Sequence, residues 1–504
     1  MTTLLAPPEQ QPAPTSAGPD RRWWVLAVLG VAQLMVVLDS TIVNIALPHA
    51  QASLGFSDGD RQWIVTAYSL AFGSLLLLGG RLADVFGRKR LFLVGVVGFA
   101  AASAFGGAAT GFAMLVTARA VQGAFGALLA PAALSLLMTT FTHPSERGKA
   151  FGIYGGIAGA GASVGLLLGG FLTEYLDWRW TMYVNVIFAV VAAIGALAFL
   201  APHATEIRAR IDKMGSVLAC TSMFAIVYGF AHAASKSGTA GWTDSQTLVF
   251  LGAGLALLVA FVLFERRSSY PLLPLRVVTD RNRGGAYLAM FLTSIGMFGV
   301  FLFVTYYLET TLGYSPVKTG LAFLPVTVAV IVVAAIANIA LIPRVSPRIL
   351  IPTGLFMSAV GMAVVTRIGL HSSYGGTILP PLMLVAVGMG LVFAPSMSLG
   401  TLGVAGSDSG VASATVNVSQ QIGGSIGTAL LNTIATSAAA SYVTAHATGA
   451  TPSRLLLAQA AVHSYDVAFW VCAGIFAAAA VVVGAMLRSG VPDLAANEGI
   501  AVHA

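Results

Sequence analysis

Charge is what this sequence has least of. Asp, Glu, Lys and Arg together make up 9% of its 504 residues, against roughly 25% in an ordinary soluble domain. A water-facing surface cannot be built from so few. Cysteine is nearly missing too. Cys220 and Cys472 both lie in apolar runs with no His or Cys beside them, so neither a disulfide framework nor a metal site is implied. The net charge of +7 is spread over short segments between apolar runs, which excludes the clustered basic face of a nucleic-acid binder. No Gly-x-x-x-x-Gly-Lys-Ser/Thr loop is present, so no nucleotide is expected as a cofactor or energy source. The apolar runs also hold no paired carboxylates, His cluster or Asp-rich motif, which leaves an enzyme without a reactive constellation.

What is abundant is apolar sequence, at 57%, and glycine, with 56 residues. Small residues suit close helix approach in lipid, where packing drives association. A membrane span needs about 20 mainly apolar residues. Fourteen such runs are found, at 23–48, 62–80, 91–110, 113–139, 150–173, 180–200, 214–233, 246–264, 284–308, 319–342, 349–366, 376–400, 411–433 and 467–487. The first is too long for the apolar core of a signal peptide, which runs about 7–15 residues, so it is expected to stay as a helix. With the N-terminus inside, cytoplasmic segments carry 19 Lys/Arg and outer loops 6, with Arg119 inside a span. Basic residues favour cytoplasmic loops, so both termini are expected in the cytoplasm of a bacterial-type cell.

An internal repeat organises these runs. Ser145, Glu146, Gly148, Gly161 and Gly165 recur 262 residues later as Ser407, Asp408, Gly410, Gly423 and Gly427. Gly126, Ala130 and Pro131 recur 264 residues later as Gly390, Ala394 and Pro395. The expected domains are a disordered cytoplasmic segment 1–20, rich in Pro, Gln, Ser and Thr, a six-helix half 21–200, two inserted helices and their loops 201–283, a second six-helix half 284–487 and a tail 488–504. Halves of this kind enclose a central site that opens alternately to each side.

Asp39 stands inside the first run, in Leu38-Asp39-Ser40-Thr41-Ile42-Val43-Asn44. A carboxylate there costs about 2.5–3.5 kcal/mol even on lenient insertion scales. It is either a structural acid paired to an arginine or helix end, or a working group such as a proton carrier. Arg119 is the basic residue at similar depth in the fourth run. Burial and a neighbouring guanidinium pull a carboxyl's proton affinity in opposite directions, which allows a group that loads on one side and unloads on the other. A structural tether is the alternative role for Arg119, and the two are compatible.

Gly80-Arg81-Leu82-Ala83-Asp84-Val85-Phe86-Gly87-Arg88-Lys89-Arg90 joins runs two and three. Asp84 suits a helix end or an arginine across the halves, and Gly87 permits a tight turn; an ordinary basic loop is the plainer reading. Gly152, Gly161, Gly165, Gly169 and Gly170 form a packing seam on the fifth run. Run thirteen is polar without charge, with Asn417, Ser419, Gln420, Gln421, Ser425 and Thr428, fitting either a substrate cavity or interhelical hydrogen bonds. Glu309 is expected to be exposed at the outer edge of the ninth run.

At these residues the chain resembles the fourteen-helix drug:proton antiporters of the major facilitator superfamily, the EmrB/QacA type, over nearly its whole length after residue 20. The motifs that carry the resemblance are Asp39 with Thr41 to Asn44 and Ala46 to Pro48, Trp63 and Tyr68, the loop Gly80, Asp84, Gly87, Arg88 and Arg90, and Arg119, Gln122 and Gly123. Trp178-Arg179-Trp180 and Asn185-Val186 follow, with Ile187 where the family has proline and Leu166 after Gly165 where it has another. The resemblance implies an all-α membrane fold arranged 6+2+6. It implies proton coupling at Asp39 and Arg119 and gating by Asp84, Gly87, Arg88, Gly161, Gly165 and Gly169. Candidate cavity residues are Asn44, Tyr68, Gln122, Asn417, Gln420 and Gln421. The expected partners are protons, the lipid bilayer and a lipophilic substrate, neutral or singly cationic because run thirteen has no acid. Uptake on the same fold is the alternative direction.

Overall fold

A computed structural model of the chain describes residues 19–56, 58–201, 212–235, 240–268, 271–404, 408–447 and 452–491. Among them are fourteen helices of nineteen residues or more: α1 (Pro19–Leu54), α2 (Asp58–Phe86), α3 (Arg88–Gly107), α4 (Phe112–Thr140), α5 (Pro144–Tyr175), α6 (Trp180–Phe199), α7 (Lys213–Ser235), α8 (Ser245–Glu265), α9 (Arg281–Tyr306), α10 (Pro316–Ile336), α11 (Pro347–Val365), α12 (Leu379–Gly400), α13 (Ser409–His446) and α14 (Arg454–Met486). Wider π-helical turns at Tyr307–Thr311, Ala337–Leu341 and Tyr374–Ile378 extend α9, α10 and α12. No strand occurs among the described residues.

Twelve of these helices are long and apolar enough to cross a membrane. In hydrocarbon every backbone N–H and C=O must be satisfied within the protein, and a helix does this inside one segment. The other two, α5 and α13, are diluted by glycines, hydroxyls and amides, though they run 32 and 38 residues. At 1.5 Å per residue they are about 48 and 57 Å long.

Several helices outrun the apolar segments. α1 begins at Pro19, inside the segment expected to be disordered, while residues 1–18 and 492–504 lie outside the described residues. α13 continues to His446 rather than ending at 433, and α14 starts at Arg454 rather than 467. Residues 434–446 are rich in alanine, which keeps a helix going in water as well as in lipid. Ser453 caps α14 by accepting the Leu456 N–H at 3.1 Å, a strong helix-start signal that hydropathy does not register.

The start of α1 and the finish of α14 lie at the same end of the bundle, here called the terminal end. Arg21 donates to the Phe199 carbonyl there, and Arg281 to that of Met486. α1 to α6 pack among themselves, as do α9 to α14, and the two groups meet where α5 runs along α10 and α2 along α13. α7 pairs with α8 and lies against both α2 and α13. At the other end, Trp242 Nε1, in the connection between α7 and α8, donates to Thr433 Oγ1 at 2.8 Å.

The sequence repeat has a packing counterpart. A Cβ added at Gly161 would fall 2.8 Å from Val37 Cβ, and one at Gly165 3.1 Å from Thr41 Cβ, both on α1. At the repeated positions, a Cβ on Gly423 would fall 3.1 Å from Ser294 Cβ and one on Gly427 2.8 Å from Ile295 Cα, both on α9. Gly148 closes on the Asn338 carbonyl next to α10, while its repeat Gly410 closes on Gly80 and Asp84 of α2.

Candidate functional site

Asp39 is placed by what lies behind it. The α5 glycines let Val37, Leu38, Thr41 and Ile42 press against that helix, with Gly169 opposite Ile42. At about 100° per residue, Asp39 is then turned away from α5, toward α4 and α6. There its Oδ2 accepts from Arg119 Nη1 at 2.6 Å, and its Oδ1 accepts from Gln122 Nε2 and Asn185 Nδ2, both at 2.7 Å.

Arg119 is held on several sides. Its Nη1 also donates to Gln122 Oε1 at 2.6 Å, its Nε donates to the Ile64 carbonyl at 3.3 Å, and its guanidinium carbon lies 4.3 Å from the centre of the Tyr68 ring. Gln122 Nε2 reaches Ser103 Oγ at 2.7 Å. Asp39, Gln122, Asn185 and Ser103 are 0% exposed and Arg119 is 1% exposed. Five helices thus meet at one buried ion pair whose carboxylate is met by three donors. An apolar cluster that includes Val43, Leu47, Ile64, Leu115, Trp178 and Met182 packs between this pair and the end away from the termini. A buried pair with this many partners holds its helices together while ionised, and removing either charge leaves the other uncompensated. Such a group can bind helices in one protonation state and release them in the other.

The expected pairing of Asp39 with Arg119 is therefore present. Tyr68 and Gln122, expected to line a substrate cavity, are instead buried in the carboxylate's own network. The reason is geometric: Gln122 lies one helical turn from Arg119 on the same face of α4. Ser103 was not singled out from sequence, and Asn185 was named only in the Asn185-Val186 motif without a role at Asp39, although each carried a signal. Asn185 is the one amide in the apolar run 180–200, and Ser103 the one serine in 91–110.

The terminal end is closed by a second set of contacts. Asp84, at the end of α2, accepts the Gly410 N–H at 3.1 Å with its Oδ1 and lies 3.7 Å from Arg88 Nη2. A carboxylate at the start of α13 meets the free N–H groups and positive end of that helix. Gly87, between α2 and α3, has φ +92°, a conformation that favours glycine. Ser135 and Ser409 join α4 to α13 through hydroxyls 2.9 Å apart, and Arg147 of α5 donates to the Thr401 carbonyl at 3.3 Å. Asp408 pairs with Arg276 at 2.7 Å.

Asn417, Gln420 and Gln421 are half-buried in the first third of α13. Asn417 Nδ2 donates to its own helix at the Ser413 carbonyl, and the Gln421 side chain lies against Gly73 of α2. The Asn44 side chain lies outside what is described. Glu309 is half-buried rather than exposed, because the π-helical turn continues α9 past the point where the apolar run ends. Asp466 of α14, one residue before the apolar run 467–487, has a buried Oδ1 without a hydrogen-bond partner. A lateral groove of about 640 Å³ opens between α9, α13 and α14, walled by Phe303, Tyr306, Thr436 and Tyr465 among others.

The sequence profile of the Major Facilitator Superfamily matches residues 29–428. The chain is 49% identical over 475 residues to the puromycin resistance protein pur8 of Streptomyces alboniger, covering 94% of this chain and 93% of that protein. It is 37% identical over 412 residues to the cephamycin export protein CmcT of Amycolatopsis lactamdurans, covering 81% and 84%. In fold it is similar to the human organic anion transporter MFSD10 (TETRAN), with a TM-score of 0.59 at 15% identity, covering 93% of this chain and all of that one.

Proposed function

The chain belongs to the major facilitator superfamily, and from that premise we propose that it is a proton-coupled antiporter that exports a lipophilic antibiotic or related small metabolite across the bacterial cell membrane. Family membership makes it a multi-pass membrane transporter and not an enzyme. Relatives named for puromycin resistance and cephamycin export support drug export. A neutral or singly cationic substrate fits the absence of acids along α13.

The observation that carries the proton reading is the buried contact of Asp39 with Arg119, Gln122 and Asn185. While Asp39 is ionised, the pair ties α1 to α4. A proton arriving from outside removes the negative charge and loosens that tie, and its release inside restores it. No bound cofactor is required. One charge moving through ~150 mV supplies about 3.5 kcal/mol, enough for a gradient of a few hundredfold.

In this reading α5 and α13 cross the membrane with the other twelve, giving fourteen spans arranged 6+2+6. α1 to α6 and α9 to α14 form the halves, and α7 and α8 sit beside α2 and α13. The bias of 19 Lys/Arg to 6 supports a terminal end that faces the cytoplasm. The contacts of Asp84 with Gly410, Ser135 with Ser409 and Arg147 with Thr401 then close the cytoplasmic gate. The glycines of α5 serve both sides of the machine, packing α1 behind Asp39 and α10 across the halves.

The test is purified protein in liposomes with an acid interior, challenged with puromycin and a panel of lipophilic cations while internal pH is followed. Substrate accumulation with a matching rise in internal pH supports the proposal. Accumulation with no proton movement rejects antiport, and accumulation only under the reversed gradient makes the protein a symporter.

A further inference from the structure

Two amides contact the Asp39 carboxylate, and they are held differently. Gln122 is fixed at both ends: its oxygen accepts from Arg119 at 2.6 Å and its nitrogen donates to both Asp39 and Ser103 at 2.7 Å. Turning it over would aim an N–H at a guanidinium that has only donors. Asn185 is fixed at one end alone. Its Nδ2 donates to Asp39 Oδ1 at 2.7 Å, while its Oδ1 is buried with no hydrogen-bond partner. Leaving a buried acceptor unmatched is costly, and the residue is 0% exposed.

The reverse orientation of Asn185 would set its carbonyl oxygen against a carboxylate oxygen at the same separation. Two bare acceptors repel at that distance. With a proton on Asp39 the same geometry becomes an O–H to carbonyl hydrogen bond, and the Asn185 NH2 turns to the side where its oxygen had no partner. Each protonation state therefore selects one orientation. We propose that Asn185 reads the proton on Asp39, donating to the carboxylate when it is ionised and turning over to accept from it when it is protonated.

The inference rests on Asp39 being the proton site. The other charged or titratable groups that face Asp39 among the described residues are Arg119 from α4 and the Tyr68 phenol from α2. α3 contributes Ser103 through Gln122, α5 its glycine seam, and α6 Asn185 itself. Asn185 is a positioning residue: it touches the carboxylate that carries the proton and ties the state of that carboxylate to α6.

Infrared difference spectroscopy of the purified protein across a pH titration tests this, with the carboxylic-acid band of Asp39 assigned by its loss in Asp39→Asn. In the wild type, an asparagine amide carbonyl band is expected to shift in step with the Asp39 band. That shift should be missing in Asn185→Leu, which fills a similar volume with no donor or acceptor. An amide band that stays still while Asp39 titrates overturns the inference and leaves proton coupling standing. An Asp39 that does not titrate removes both. The wild-type amide band decides the matter even if Asn185→Leu fails to fold.

Discussion

Asp39 and Arg119, eighty residues apart in sequence, meet at 2.6 Å in a pocket that leaves both closed to solvent. The contact fastens α1 to α4, and it is also the place where a proton would change the charge. In the proposed cycle, holding helices together and carrying the proton are consequently the work of one ion pair.

Tyr68 separates packing from hydroxyl chemistry in this site. Its ring covers the Arg119 guanidinium, yet its hydroxyl is buried with no hydrogen-bond partner. Tyr68→Phe removes only the unmatched group and should leave gradient-driven export near the wild-type level, with stability changed by less than about 1 kcal/mol. Tyr68→Ala removes the ring and should cost about 3–5 kcal/mol. Thermal unfolding and export measured on both variants check this. Loss of export in a stable Tyr68→Phe protein would give the hydroxyl a role that packing does not.

Gly165 should tolerate no bulk. Its added Cβ would lie 3.1 Å from Thr41 Cβ and 3.2 Å from the Leu38 carbonyl, so Gly165→Val must push α1 off α5 beside Asp39. A loss of about 1–3 kcal/mol in stability is expected, with export lost as well. Gly252→Ala on α8 is the control, since a Cβ there meets nothing within 4 Å. It should be neutral or stabilising by about 0.5–1 kcal/mol. Comparing melting temperatures of the two variants tests the seam.

The gate can be locked. Ser135 and Ser409 hydroxyls lie 2.9 Å apart, so sulfurs in their places would have to close to about 2.05 Å to form a bond. In a background with Cys220 and Cys472 replaced, Ser135→Cys with Ser409→Cys should form a disulfide under oxidation and stop export, and reduction should restore it. Full export by the cross-linked protein would show that the contact between α4 and α13 need not open.

Much of this was legible in the sequence because lipid imposes few choices. An apolar run of about 20 residues in a membrane has to be helical, so the helix order followed from hydropathy. An acid and an arginine at matching depth pointed to their pairing. The glycine repeat Gly161 and Gly165 with Gly423 and Gly427 pointed to two related halves, and its members pack on α1 and α9. Hydropathy was blind to the ends of α13 and α14, where alanine propensity and the Ser453 cap extend the helices past the apolar stretch. It also missed Asn185 and Ser103, since a single amide or serine in an apolar run gives no direction. Only the rotation of each helix about its axis brought them to Asp39, beside Tyr68 and Gln122.

The central claim is that Asp39 carries the proton that drives export. Liposomes with an acid interior, holding either the wild type or Asp39→Asn, give the most direct measurement, with thermal unfolding confirming that the variant is folded. The wild type is predicted to accumulate substrate while the interior becomes more alkaline. Folded Asp39→Asn is predicted to lose both, while still exchanging labelled for unlabelled substrate in the absence of a gradient. Gradient-driven accumulation by Asp39→Asn at the wild-type rate, with protons still moving, would contradict the claim and place the proton on another residue.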